Sequence, residues 1–190
     1  MLFRSASLSI ASGEHIAVVG PNGSGKSTFL QLLSGYSIPS QGKVSWNLEG
    51  KDNSSEDIYL HQVMAAPYLE VPEELTWAEL IRFHFSFKPL FAGLSEQDVL
   101  RISGLQHAGD RVVRQFSSGM KQRVRLTLAC LSDTPLLLLD EPCSNLDRSG
   151  VEWYRAMISQ WGKGRTLVVC SNHQAEEYDF CSRVIDITPW

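Results

Sequence analysis

The stretch His15–Leu30, HIAVVGPNGSGKSTFL, leaves a chain few ways to fold. A short β-branched run, His15–Val19, passes at once into a glycine-rich turn. The following segment carries Phe29, Leu30, Leu32 and Leu33 at positions that suit one buried helix face, with Gly35 as its stop. Gly20, Gly25, Lys26 and Ser27 match G-x-x-x-x-G-K-[ST], a pattern in which glycines let backbone N–H groups turn inward around phosphate oxygens. The helix adds the positive end of its dipole. The predicted polyphosphate cradle therefore runs through Gly20, Pro21, Asn22, Gly23, Ser24, Gly25, Lys26, Ser27 and Thr28. Lys26 is expected to reach the β and γ phosphates, and the Ser27 hydroxyl to ligate Mg²⁺.

The rest of the chain repeats the alternation of strand and helix. SIPSQGKVSW reads as a turn and then a strand around Val44, and EGKDNSSED as a polar surface loop. PLLLLDEP is an uninterrupted apolar strand, and TLVVC and RVIDI are two more. Val124, Leu128 and Leu131 share one face of a helix. Such an order predicts a mainly parallel sheet covered by helices on both faces. Between about residues 69 and 116 the pattern turns helical: Leu75, Ala78, Ile81 and Phe85 stand near helical spacing, and Ser95 with Asp98 forms a capping-box pattern. The expected organisation is one α/β domain over 1–190, with its core in about 1–68 and 117–190 and a helical lobe in about 69–116.

With 190 residues, 43% hydrophobic and 20% charged, the chain can bury a real core. A net charge of −4 gives no global basic footprint, so no nucleic-acid partner is expected. Cys130, Cys143, Cys170 and Cys181 have no paired metal spacing and read as reduced, mostly buried thiols of a cytosolic protein. No apolar run approaches the ~18 residues of a membrane span, and the start of the chain is too broken for a signal peptide. The chain can dock on a membrane but not cross it alone.

Two acids set the chemistry. Asp140 ends the LLLL strand, where it can hold Mg²⁺ through water, and Glu141 follows it. Because sides alternate along a strand, the two carboxylates are expected to serve different tasks, with Glu141 polarising a water for attack on the γ phosphate.

QFSSGMKQR then supplies a family resemblance. Phe116-Ser117-Ser118-Gly119-Met120 resembles the LSGGQ signature of the ATP-binding-cassette (ABC) ATPases, 23 residues before Asp140, and Ser144-Asn145-Leu146-Asp147 resembles their D-loop. The resemblance runs from about Leu2 to Ile187. It implies a P-loop NTPase fold with an inserted helical lobe, with ATP and Mg²⁺ as cofactors. It also implies a head-to-tail dimer, with itself or a second cassette, in which Ser117 and Gly119 contact ATP held by the partner's phosphate loop. The short length, GKVSW, DRSGV and NHQ are similar to the ATPases of bacterial haem exporters.

Some positions depart from the family. Ser118 and Met120 replace the usual Gly and Gln of the signature. The family's Q-loop glutamine comes shortly before an LT pair, here Leu75-Thr76, and Tyr68 lies 8 residues before Thr76 while Gln62 lies 14 before it. Spacing therefore favours Tyr68 in the Q-loop, with Gln62 as the second register. His173 in VVCSNHQ is expected to be the switch residue at the γ phosphate, with Asn172 as the alternative. The family stacks adenine on an upstream aromatic, and only Phe3 stands near such a place, so either the start is incomplete or adenine is held loosely. Tyr36 and Trp46 read as packing residues.

The function this implies is ATP hydrolysis driving an ABC transporter through a separate membrane-spanning subunit, from the cytoplasmic face of the cell membrane. Two other readings stand beside it: a mechanochemical ABC ATPase on nucleic acid or ribosomes, and a weakly active nucleotide-gated scaffold.

Overall fold

In chain order the described residues form β1 (His15–Val19), α1 (Lys26–Leu33), β2 (Trp46–Leu48), β3 (Lys51–Asn53), α2 (Ile58–His61), β4 (Gln62–Ala65) and α3 (Trp77–Phe85). There follow α4 (Glu96–Ile102), α5 (Ser118–Leu131), β5 (Leu136–Asp140), α6 (Arg148–Trp161), β6 (Thr166–Ser171) and β7 (Arg183–Asp186). This computed structural model describes residues 7–48 and 50–188, so Phe3 lies outside the described residues.

Five strands pair in the order β4-β5-β6-β1-β7, every pair parallel, while β2 and β3 make a separate antiparallel hairpin. The interior strand β5, between β4 and β6, explains its own sequence. It is buried along its whole length, so both of its faces must be apolar. Its side chains divide by parity. Leu136 and Leu138 join Ile16, Val18, Phe29 and Leu30 under α1. Leu137 and Leu139 join the larger cluster that takes in Trp77, Val99, Val124 and Tyr154 from α3, α4, α5 and α6.

All five strands run the same way, so their carboxyl ends share one edge. The phosphate loop after β1, the acids ending β5, the segment after β6 and Tyr68 beyond β4 are delivered to that edge by topology alone, the usual place for ligands in such sheets.

Two details of the sequence reading change. The hairpin strand starts at Trp46 rather than around Val44, and the Trp46 indole N–H donates to the Leu33 carbonyl at 2.9 Å, which fixes where pairing begins. In α3 the buried stripe is Trp77, Leu80 and Ile81 rather than Leu75, Ala78, Ile81 and Phe85. The cause is a capping box. Thr76 accepts from the Glu79 N–H at 3.3 Å, and the Glu79 carboxylate accepts from the Thr76 N–H at 2.8 Å. The helix therefore starts after Leu75, and its first turn puts Trp77 inside. The expected Ser95–Asp98 box is present at the start of α4.

Thr76→Ala removes the acceptor for one helix-end N–H and should cost about 1 kcal/mol of stability. Urea unfolding with an unchanged slope and a lower midpoint is the expected result. An unmoved midpoint would remove Thr76 as the start signal of α3.

Candidate active site

The loop after β1 is shaped by glycines that no other residue can replace cheaply. Gly23 and Gly25 lie at φ 80° and 102°, in the left-handed region. Gly20 is limited by space, because a Cβ there would stand 2.7 Å from Ser24 Oγ and 2.9 Å from Ile187 Cγ2. The Lys26 ammonium spans the loop, donating to the carbonyls of Gly20 at 2.8 Å and Pro21 at 3.1 Å. The Ser24 hydroxyl is buried in the loop with no partner among the described residues, a donor available to an oxyanion. Asn22, Gly23, Gly25, Lys26, Ser27 and Thr28 line a cavity of about 320 Å³, and Glu141 closes its other side. Pro21 is exposed beside it.

The two acids differ as expected, but by a different device. Asp140 ends β5 at 3% exposure and accepts from Ser27 Oγ at 2.7 Å. Burial pushes its carboxyl up, the Ser27 hydrogen bond works against that, and the nearby Glu141 carboxylate adds to it. Glu141 is no longer in strand geometry. It stands at φ 43°, and its N–H donates to the Cys170 carbonyl at 2.9 Å. A left-handed turn, rather than strand alternation, swings it into the cavity.

The site offers only hard oxygen donors for a divalent cation, the Ser27 hydroxyl and the Asp140 carboxylate, which suits Mg²⁺ completed by substrate phosphates. Tyr68 faces the same carboxylate. Burial pushes its phenol well up, and the Asp140 charge adds to that, while the Gln31 amide pulls the other way. Gln62 instead opens the edge strand β4, its carbonyl accepting from Lys88 Nζ at 2.8 Å and its Oε1 buried without a partner among the described residues.

The other predicted residues are not gathered into this cavity. Asn172 and His173 are both exposed on the segment after β6, with His173 at φ 57° and near Asp186. That segment starts beside the phosphate loop, since Gly20 N–H donates to the Ser171 carbonyl at 3.4 Å. Ser117 caps α5, accepting from the Met120 N–H at 3.3 Å. Gly119 sits against the D-loop segment, where a Cβ would approach the Asn145 carbonyl to 2.9 Å. Tyr36 is exposed and Trp46 half-buried. The four cysteines are free thiols, three of them buried.

Sequence reasoning missed two residues. Gln31 lies one turn beyond Ser27 on α1, so the same helix face carries both toward Asp140 and Tyr68. Its only sequence signal was that spacing. Glu177 is wholly buried behind the acids and gave no signal at all.

The family model described as ABC transporter matches residues 3–144. The chain belongs to this family. It is 31% identical over 180 residues to the cytochrome c biogenesis ATP-binding export protein CcmA of Mannheimia succiniciproducens, which covers 92% of this chain and 81% of that protein. It is 29% identical over 197 residues to the taurine import ATP-binding protein TauB of Sinorhizobium fredii, covering 96% of this chain and 68% of that protein. Among solved structures, an ATP-binding subunit of an ABC transporter is similar with TM-score 0.78 at 26% identity, over 95% of this chain and 78% of the other. A dimeric ATP-binding cassette in a post-hydrolysis state is similar in fold with TM-score 0.77 at 22% identity, over 94% and 83%. This ABC ATPase therefore binds ATP and hydrolyses it to power a transporter. The CcmA and TauB relatives are an export and an import ATP-binding protein, which does not favour a ribosomal or nucleic-acid role.

Lys26→Ala removes the ammonium from the loop and should weaken ATP binding by about 100-fold or more. Titration calorimetry reads this directly, and equal affinity in variant and wild type would overturn the phosphate-loop assignment.

Proposed function

We propose that this chain is the nucleotide-binding subunit of an ABC transporter, working on the cytoplasmic face of the cell membrane with a separate membrane-spanning subunit. The observation that carries this reading is a one-residue step. Tyr68 faces the Asp140 carboxylate, and Leu69, its neighbour, lines an apolar groove with Val71, Leu80, Phe83, Phe87 and Leu128. Phe83 and Phe87 are 48% and 70% exposed there. A partner helix seated in that groove would press on the residue that touches the metal side of the site. Among the described residues no helix is long and apolar enough to cross a membrane. Core and lobe meet at this groove, with the lobe in about 69–116.

Within the site, the loop amides and Lys26 hold the β and γ phosphates, and Ser27 and Asp140 hold Mg²⁺. Mg²⁺ held by Ser27 and Asp140 would neutralise charge on the phosphate oxygens. Glu141 takes the proton of the attacking water, and His173 contacts the γ phosphate. Ser117 and Gly119, at the free end of α5 and outside the phosphate cavity, complete the site of a second cassette, either a copy of this chain or a different one. The dimeric cassette bound to ADP and phosphate, similar in fold, supports a pairing of two cassettes.

Glu141→Gln keeps the shape of the base but not its basicity, so turnover should fall by at least about 100-fold while ATP binding persists. With ATP and Mg²⁺ two cassettes should then stay together in light scattering. A variant that remains monomeric, alone and with candidate partner subunits, would refute the sandwich.

A second comparison separates the two registers for the Q-loop. Tyr68→Ala should lower turnover about ten-fold with little change in ATP affinity, and Gln62→Ala should be near neutral. Steady-state hydrolysis at saturating ATP with Mg²⁺ varied is the measurement. A large loss in Gln62→Ala beside a silent Tyr68→Ala would reverse the assignment.

A further inference from the structure

Among the described residues three non-glycine residues have left-handed backbone: Glu141, Asn145 and His173. Such conformations cost about 1–3 kcal/mol each and persist only where surrounding structure holds them. They fall on two loops. Glu141 and Asn145 bracket Cys143 after β5, and His173 stands four residues before Glu177 after β6. One side chain joins these loops. Glu177 ends the 3₁₀ turn Ala175–Glu177 and is 0% exposed. Its Oε1 accepts from the Cys143 N–H at 2.9 Å, and its own carbonyl accepts from the Tyr154 hydroxyl at 2.8 Å, which anchors the turn to α6. Its Oε2 has no hydrogen-bond partner among the described residues.

We infer that Glu177 is a positioning residue for ATP hydrolysis: its carboxyl fastens the His173 segment to the turn that carries Glu141, so the two loops keep one register. This rests on the roles given above to Glu141 and His173.

A buried carboxyl with no cation to face is a costly way to satisfy one N–H. Around it stand the Asp140 and Glu141 carboxyls from the end of β5, Cys143 and Ser171 on the two loops, Cys170 on β6 and Tyr154 on α6, with Glu176 and Arg155 near Cys143. Burial pushes the Glu177 carboxyl up to about 7, the Ser171 hydroxyl and Cys143 N–H oppose this, and the two neighbouring carboxylates reinforce it. The ionised form makes the stronger bond to the Cys143 N–H. The neutral form makes a weaker one. The tie therefore tightens as pH rises through about 7.

Stability runs the other way. A carboxyl raised on folding contributes stability that is fully present below its unfolded pKa and is lost as pH rises through about 7. Across that window this group should cost the wild type stability while it raises kcat. A role in folding alone would move both quantities together.

The test uses the full chain with ATP and Mg²⁺, comparing wild type, Glu177→Gln and Glu177→Leu, with Glu141→Gln as control. Glu177→Leu should lower kcat ten-fold or more, leave KM for ATP within two-fold and give a Tm at pH 8 no lower than wild type. Glu177→Gln, which keeps the acceptor, should hold kcat within three-fold at pH 8. It should also lose the wild-type inflection of kcat near pH 7 and gain Tm relative to wild type between pH 5 and pH 8. Wild-type kcat in Glu177→Leu, or an unchanged inflection in Glu177→Gln, overturns the tie. If Glu177→Leu does not fold, the pH profile of Glu177→Gln decides alone. Should Glu141→Gln still hydrolyse ATP at the wild-type rate, the assignment of the base has failed rather than the tie.

Discussion

The hydrogen bond from Ser27 Oγ to Asp140 Oδ2, at 2.7 Å, joins residues 113 positions apart and sets the geometry of everything near it. Ser27 belongs to the first turn of α1, and Asp140 ends the interior strand β5. The bond can form only if the phosphate loop closes in its left-handed glycine path and β5 lies in register between β4 and β6. Once it forms, the face of α1 that carries Gln31 is turned to Tyr68, and the turn after Asp140 carries Glu141 across the loop. Two hydroxyl-bearing side chains then face one buried carboxylate, which is an arrangement for holding a small, hard cation against phosphate oxygens.

The signature segment depends on a second contact of the same kind. Gln122, 1% exposed in α5, donates to the Pro142 carbonyl at 2.9 Å, while Gly119 lies where a side chain would strike the Asn145 carbonyl. The helix that would meet a partner's ATP is thus fixed to the backbone just after the acids of its own site. Any shift of the turn after β5 must carry the start of α5 with it. Ser118 and Met120, the two departures from the family signature, lie on either side of this contact and leave it intact.

Much of this was legible in the sequence, and the reasons are local. The phosphate loop, the LLLL strand and the Ser95–Asp98 cap are short patterns whose meaning lies in backbone conformation or in continuous burial, and both leave a mark within ten residues. Spacing favoured Tyr68 over Gln62 for the Q-loop; in the structure the Tyr68 phenol faces Asp140 and Gln62 opens an edge strand. What escaped was set by distance along the chain or by a single dihedral angle. The left-handed turn of Glu141 has no sequence mark, because glutamate is a poor residue for that region and only the surrounding fold imposes it. Glu177 reads as one more acid in a polar AEE run, and its burial depends on α6 and the turn after β5 meeting over it. The buried stripe of α3 differs from the expected one because apolar spacing was weighed before the Thr76–Glu79 pair.

The strand order has a temporal side. β1 holds the phosphate loop, yet both of its partners come from the far end of the chain: His15 pairs with Leu167, and Ile16 with Arg183. During synthesis, which runs from the N-terminus at about 5–20 residues per second, β1 waits for most of the translation time with no strand to pair with. Long-range parallel pairing of this kind is slow to form and leaves an apolar strand exposed meanwhile. The ATP loop is made early and its scaffold is assembled late, so a ribosome-bound nascent chain should acquire the capacity to hold nucleotide only after β6 and β7 have emerged.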